Sequence, residues 1–396
     1  MNYRKLFSRK RMIGLLQDLV AIPSVNPAFS DGQGEQKIAQ YIEQYFAARG
    51  IAHVQQLVMP DRPNVIATVE GQDKTRGILL EAHMDTVQIV GMSIDPFGAV
   101  IEDGRLYGRG ACDTKASLAT MMLTLDMFRE HGIVPPVSVH LAAVVDEEVL
   151  FRGVAYVADQ VEKGLAEYEA AIVGEPTGLA VVIAHKGCVR FSVDVRGVAS
   201  HSSTPERGVN AIEKMYDVVR ALGEEITPAY ARSSHRLVGP PTLCISTIHG
   251  GVGANTVPES CQITIDRRTV PGEDSHAVWK GIKERLESLG PAIGAEVRVG
   301  DPFVLDYSME TAPNERIARA MLAAGRKYGY EGPPIGVPYG TDASKLARVG
   351  IPSIVFGPGS IEQAHTHDEW VDLDEVESAV CMLADAIMSY GGNREW

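Results

Sequence analysis

Apolar positions recur along this chain with two periods, and the switches between periods mark its elements. Helical spacing runs over residues 12–19 and 35–49, separated by the proline-punctuated loop Ile22-Pro23-Ser24-Val25-Asn26-Pro27. Short, dense runs of Val, Ile, Leu and Ala at 65–69, 77–82, 137–145, 170–173 and 353–356 predict buried strands. Helical stretches are predicted at 116–128, 154–163, 315–327 and 373–388. Strands alternating with helices imply an α/β architecture: a mostly parallel sheet with helices on both faces. Near residue 186 the pattern changes. Residues 189–195 alternate, followed by a predicted helix over 209–222, strands over 242–248 and 261–266, a helix over 275–289 and a strand over 295–299. This β-α-β-β-α-β order makes a small open α+β sheet of ferredoxin-like connection. The chain is therefore expected to divide into residues 1–182 plus 301–396, interrupted by an inserted domain of residues 183–300.

Composition adds size and compartment to this picture. A chain of 396 residues, 45% hydrophobic and 22% charged, exceeds one ordinary core and fits two or three. Its net charge of -14 argues against a nucleic-acid partner, whereas a deep cluster of acids that holds divalent cations would account for part of it. The five cysteines (Cys112, Cys188, Cys244, Cys261, Cys381) are odd in number and form no Cys-x-x-Cys pair, so neither a disulfide framework nor a zinc ribbon is expected. The basic N-terminus leads into an amphipathic stretch interrupted by Gln17 and Asp18. No apolar run approaches the ~20 residues of a membrane span, and a cytoplasmic protein with no membrane partner is expected.

The candidate chemistry lies where predicted strands end. Residues 144–149 read Val-Val-Asp-Glu-Glu-Val, three successive carboxylates leaving an apolar strand, and like charges so placed call for a positive partner. His83 and Asp85 follow another strand, Glu175 a third, and Asp113 stands just before a helix, where capping is its plainest job. In parallel sheets ligands bind at the carboxyl ends of strands. The glycines of Tyr107-Gly108-Arg109-Gly110 lack a nucleotide fingerprint, so no phosphate loop is read there, and Cys112 is expected to be a small buried thiol. Two divalent ions about 3.5–4 Å apart ask for a terminal imidazole and a terminal carboxylate each, with a carboxylate bridging them. Asp85 or Asp113 can bridge, His83 with His365 or His367 can supply imidazoles, and Glu148 and Glu175 the terminal carboxylates. Glu147 is then left over beside the ions, where a general base belongs. Alternation along an extended strand end would point Glu147 and Glu148 in opposite directions, with Asp146 in a supporting role.

Together these motifs resemble the M20 metallopeptidase and amidohydrolase family over nearly the whole chain. The resemblance implies a zinc-hydrolase domain with an inserted dimerisation or lid domain. It implies His83, Asp113, Glu148, Glu175 and His365 as ligands of two divalent ions, zinc first, with cobalt or manganese as alternatives. The family pattern, which places a His four residues before a Glu, implies His365 rather than His367. Asp113 would bridge, Asp85 would support His83, and Glu147 would act as general base. His201, within Gly-x-x-x-His-Ser-Ser-x-Pro, resembles the family histidine that reaches into the partner subunit's site of a homodimer, and Asn255, Arg268, Gly340 and Thr341 match substrate-contacting positions. Gly-Glu-Pro-Thr, Ala-His-Lys-Gly and Gly-Pro-Gly-Ser-Ile-x-Gln-Ala-His resemble the acetylornithine deacetylase branch, although Thr114 and Ala116 depart from it. The expected activity is zinc-dependent hydrolysis of an N-acyl amino acid. Desuccinylase, aminoacylase, dipeptidase and carboxypeptidase activities are alternatives within the family, and outside it a non-catalytic dimeric binding protein or a Mg/Mn phosphoesterase.

Overall fold

A computed structural model describes residues 1–391. Contacts divide it into two compact units, one of residues 1–183, 311–335 and 341 onward, the other of residues 184–310 and 336–340.

The centre of the first unit is four parallel strands, in spatial order Val137–Val144, Asp73–His83, Ala170–Val173 and Ser353–Val355. Each is largely buried and predominantly apolar, Asp73–His83 only over residues 78–80, because helices cover both faces of the sheet. Antiparallel strands flank this core. Arg62–Val69 and Ala52–Met59 lie beyond Val137–Val144, and Val182–His185 bridges to Ser353–Val355. The strand Ala52–Met59 is absent from the sequence pattern, because Gln55 and Gln56 break its alternation and none of its residues is buried. Pairing with Arg62–Val69, not burial, makes it a strand.

Helix Ala116–Glu130 is apolar nearly all round, and its residues from Ala116 to Phe128 are all buried. A helix without a polar face belongs inside a protein, and this one packs against the central strands and against Leu373–Tyr390, which is itself mostly buried. Asp372 caps the latter, its carboxylate accepting the N–H groups of Asp374 and Glu375.

The second unit is an antiparallel sheet in the order Thr242–Gly250, Ser260–Thr269, Gly187–Arg196, Glu296–Val299. Its inward alternation (Val189, Phe191, Val193, Val195 against Cys261, Ile263, Ile265) packs beneath helices Ala211–Ala221 and Ser275–Glu287. Among the described residues, no helix is long and apolar enough to cross a membrane.

Candidate metal centre

The carboxyl ends of the parallel strands bring His83, Asp113, Glu148, Glu175 and His365 together in two groups that share Asp113. His83 is the last residue of its strand and Glu175 stands two residues beyond Val173 of the next. His83 Nε2 lies 3.1 Å from Asp113 Oδ1 and 4.0 Å from Glu175 Oε1. His365 Nε2 lies 3.3 Å from Asp113 Oδ2 and 3.3 Å from Glu148 Oε2. The two oxygens of one carboxylate thus face two separate imidazole–carboxylate pairs.

Zinc–ligand bonds of about 2.0–2.2 Å in tetrahedral array put donor atoms roughly 3.3 Å apart, so these spacings suit one ion per group. The donor set, imidazole and carboxylate, suits zinc, cobalt or manganese. Electrostatics favour cations equally. Desolvation and mutual repulsion raise the proton affinity of Glu147, Glu148 and Glu175. Burial opposes charge on His83, yet Asp113 and the neighbouring glutamates push its pKa well above the ordinary value. Hydrogen bonds from His365 and His83 outweigh desolvation and hold Asp113 well below the usual carboxylate range. More buried carboxylates than imidazoles face one another here, and a divalent ion in each group would balance them.

The turn after Val144 differs from the expected extended strand end. Asp146 adopts a left-handed backbone conformation (φ 68°), and the chain turns over Glu147 and Glu148. Asp85 holds that turn, its Oδ1 accepting the Glu147 N–H at 3.0 Å and its Oδ2 the Glu148 N–H at 3.2 Å. The nearer contact to His83 Nδ1 is the Asp85 backbone carbonyl, at 2.9 Å, with the carboxylate at 3.8 Å. Glu147 belongs to neither ligand group. Asp146 faces away from them, accepting from Asn26 at 2.9 Å and Arg62 at 3.0 Å.

Asp113 does not cap the following helix, whose N-cap residue is Lys115. Its turn requires Gly110, with φ at +80° and Thr86 Cγ2 only 2.8 Å from where a Cβ would stand. Cys112 is buried and donates to the Ser360 carbonyl, and desolvation with nearby carboxylates pushes its thiol pKa far up, against a thiolate nucleophile.

His367 lies against Gly91, its carbonyl accepting from the Ser93 N–H, and joins neither ligand group. In the second unit, His201 is exposed and its Nδ1 lies 2.7 Å from Ser203 Oγ. Asn255 is also exposed. The Arg268 fork is taken by Asp266, at 2.8 and 3.2 Å. Gly340 is needed for close packing, since a Cβ there would stand 2.7 Å from Asp306 Oδ2. Thr341, in the first unit, is 1% exposed and its hydroxyl accepts the Ala343 N–H.

Sequence patterns missed several supporting residues. Asn26 donates to both Asp85 and Asp146, and Arg62 joins Glu35 to Asp146. No local signal marks them, because each acts on a segment far away in the chain.

Residues 79–389 match the model of peptidase family M20/M25/M40. The chain belongs to this family. It is 30% identical to acetylornithine deacetylase of Myxococcus xanthus over 367 residues, 90% of this chain and 93% of that protein. The corresponding enzyme of Pectobacterium carotovorum is also 30% identical, with 95% and 96% covered. Among solved structures, a tripeptidase from Staphylococcus aureus superposes with a TM-score of 0.81 at 20% identity, covering 98% of this chain and 99% of that one. A protein from Bacillus subtilis described as a dinuclear metal-binding peptidase of the M20 family superposes with a TM-score of 0.73 at 16% identity, covering 96% and 97%. Membership makes this M20 chain an enzyme that hydrolyses amide bonds.

Proposed function

We propose that this protein hydrolyses the amide of an N-acyl amino acid at a centre of two divalent ions, with zinc as the first choice and cobalt or manganese as alternatives. The observation that carries the reading is Asp113, whose oxygens face His83 with Glu175 on one side and His365 with Glu148 on the other. Bound there, the ions supply Lewis acidity, easing deprotonation of water and polarising the amide carbonyl. Glu147 takes the proton from the attacking water and delivers it to the leaving nitrogen as the C–N bond breaks. Burial beside other carboxylates supports this role, because it raises the proton affinity of Glu147. Asp85 keeps that carboxylate in place through the backbone of its turn.

His201 is proposed to stabilise the developing oxyanion across a homodimer formed through the inserted domain, which its exposure permits. Asn255, Arg268, Gly340 and Thr341 are proposed substrate contacts. Arg268 would have to exchange Asp266 for a substrate carboxylate, and Gly340 and Thr341 would act through their backbone. The curated relatives make acetylornithine the leading substrate. A peptidase reading is second, favoured by the tripeptidase among the structural neighbours.

A panel of acetyl-, succinyl- and formyl-amino acids and dipeptides, offered to the zinc-loaded protein, decides between them. Faster turnover of acetylornithine than of any dipeptide supports the deacylase reading; hydrolysis of dipeptides alone replaces it with the peptidase one. No hydrolysis of any member removes both.

A further inference from the structure

One buried ion pair outside the ligand groups reaches three of the segments that carry their residues. Arg109 is 3% exposed and Glu369 fully enclosed. Arg109 Nη1 donates to Glu369 Oε2 at 2.7 Å, and the same oxygen accepts the Gly110 N–H at 3.0 Å. The other oxygen, Oε1, accepts the N–H groups of Cys112 and Asp113 at 2.8 and 2.9 Å. Arg109 also donates to the carbonyls of Gln88, at 3.2 Å, and Thr366, at 3.3 Å. The pair therefore joins the loop following His83 and Asp85, the turn of Asp113 and the segment of His365.

An enclosed carboxylate needs a cation and filled lone pairs, and Arg109 alone would supply the charge. The three backbone donors do something more specific, because they belong to the turn whose last residue presents Asp113. With Glu369 anchored four residues after His365, that turn and the His365 segment hold a common carboxylate.

We propose that Glu369 is a positioning residue for the metal centre. Its carboxylate sets the Asp113 turn so that one Asp113 oxygen aims at His83 and the other at His365. The proposal rests on the metal-centre reading above. An amide cannot replace this carboxylate, since two N–H donors converge on each oxygen and an NH2 group at either position would face two donors.

The experiment titrates zinc against a competing chelator in the full chain for wild type, Glu369→Gln and Asp126→Asn, and records thermal midpoints of the metal-free forms. Asp126 is another buried carboxylate, on helix Ala116–Glu130, accepting from Arg11, Arg49 and Tyr45. Its variant controls for the loss of a buried ionic network as such. Glu369→Gln is expected to weaken zinc binding about 10- to 100-fold, the cost usual for a partner behind a ligand. Asp126→Asn is expected to lower the midpoint and bind zinc as wild type does. Unchanged zinc affinity in Glu369→Gln, or an equal loss in Asp126→Asn, overturns the positioning role and leaves the metal centre standing. Wild type that fails to bind two ions overturns both. If Glu369→Gln does not fold, Glu369→Asp, which keeps the charge and withdraws it by one methylene, takes its place with the same expectation and the same overturning result.

Discussion

Glu147 and Glu148 are adjacent, yet the structure sends only Glu148 into a ligand group. A left-handed residue at Asp146 and two hydrogen bonds from the turn to Asp85 make that division. Replacing Glu147 with Gln is expected to lower kcat by about 10²–10⁴, the usual worth of a general base, with the metal content unchanged. Steady-state kinetics alongside elemental analysis check both halves, and loss of metal in step with activity would reassign Glu147 as a ligand. Asp113→Ala should remove the shared ligand of both groups, so the same analysis is expected to show less than one ion retained per chain where wild type holds two. Asn26 offers a third test, because its amide serves two buried carboxylates. Asn26→Ala is expected to cost about 1–3 kcal/mol in urea unfolding, the penalty for buried acceptors left without a donor.

Elements in each unit are held by two kinds of contact. Helix Ala116–Glu130 follows directly on the Asp113 turn and is held by apolar burial, so Leu123→Ala should destabilise the protein by about 2–5 kcal/mol through a cavity. Calorimetry measures that cost, and a change under ~1 kcal/mol would mean that the helix repacks around the missing side chain. The inserted sheet adds an ionic contact. Burial tends to raise the pKa of Asp266, but Arg190 and Arg268 outweigh it and the net shift is downward. A carboxylate with a depressed folded pKa contributes stability above its unfolded pKa and loses it as the pH falls through the folded one. The stability difference between wild type and Asp266→Asn should therefore be full near pH 7 and shrink below about pH 4. Urea titrations at several pH values test this, and a difference that stays constant down to acid would remove the ionic role.

At the scale of the molecule, metal binding and folding are expected to be linked. Ions that bind only the native arrangement stabilise it, so chelation should lower the thermal midpoint and abolish hydrolysis, and added zinc or cobalt should restore both. An unchanged midpoint after verified metal removal would mean that the ions do not bind the native arrangement in preference to the unfolded chain. Sedimentation equilibrium tests the proposed homodimer, and a monomer at working concentration would exclude a role for His201 across subunits.

The parallel core was legible in the sequence because buried strands must be continuously apolar, and the ferredoxin-like insert because its strands alternate. The candidate ligands were within reach of the sequence only as a set, since each acid or imidazole taken singly has a plainer use and the family resemblance singled them out together. Periodicity thus yielded most of the core elements and the residue types near their ends. Tertiary structure alone decided the rest. It made Ala52–Met59 a strand through its partner, turned Asp85 toward the Glu147–Glu148 backbone, and enclosed Glu369 beneath Asp113. The physical reason is range. Periodicity reports which side of its own element a residue faces, whereas a hydrogen bond between residues 113 and 369 depends on where folding has carried both.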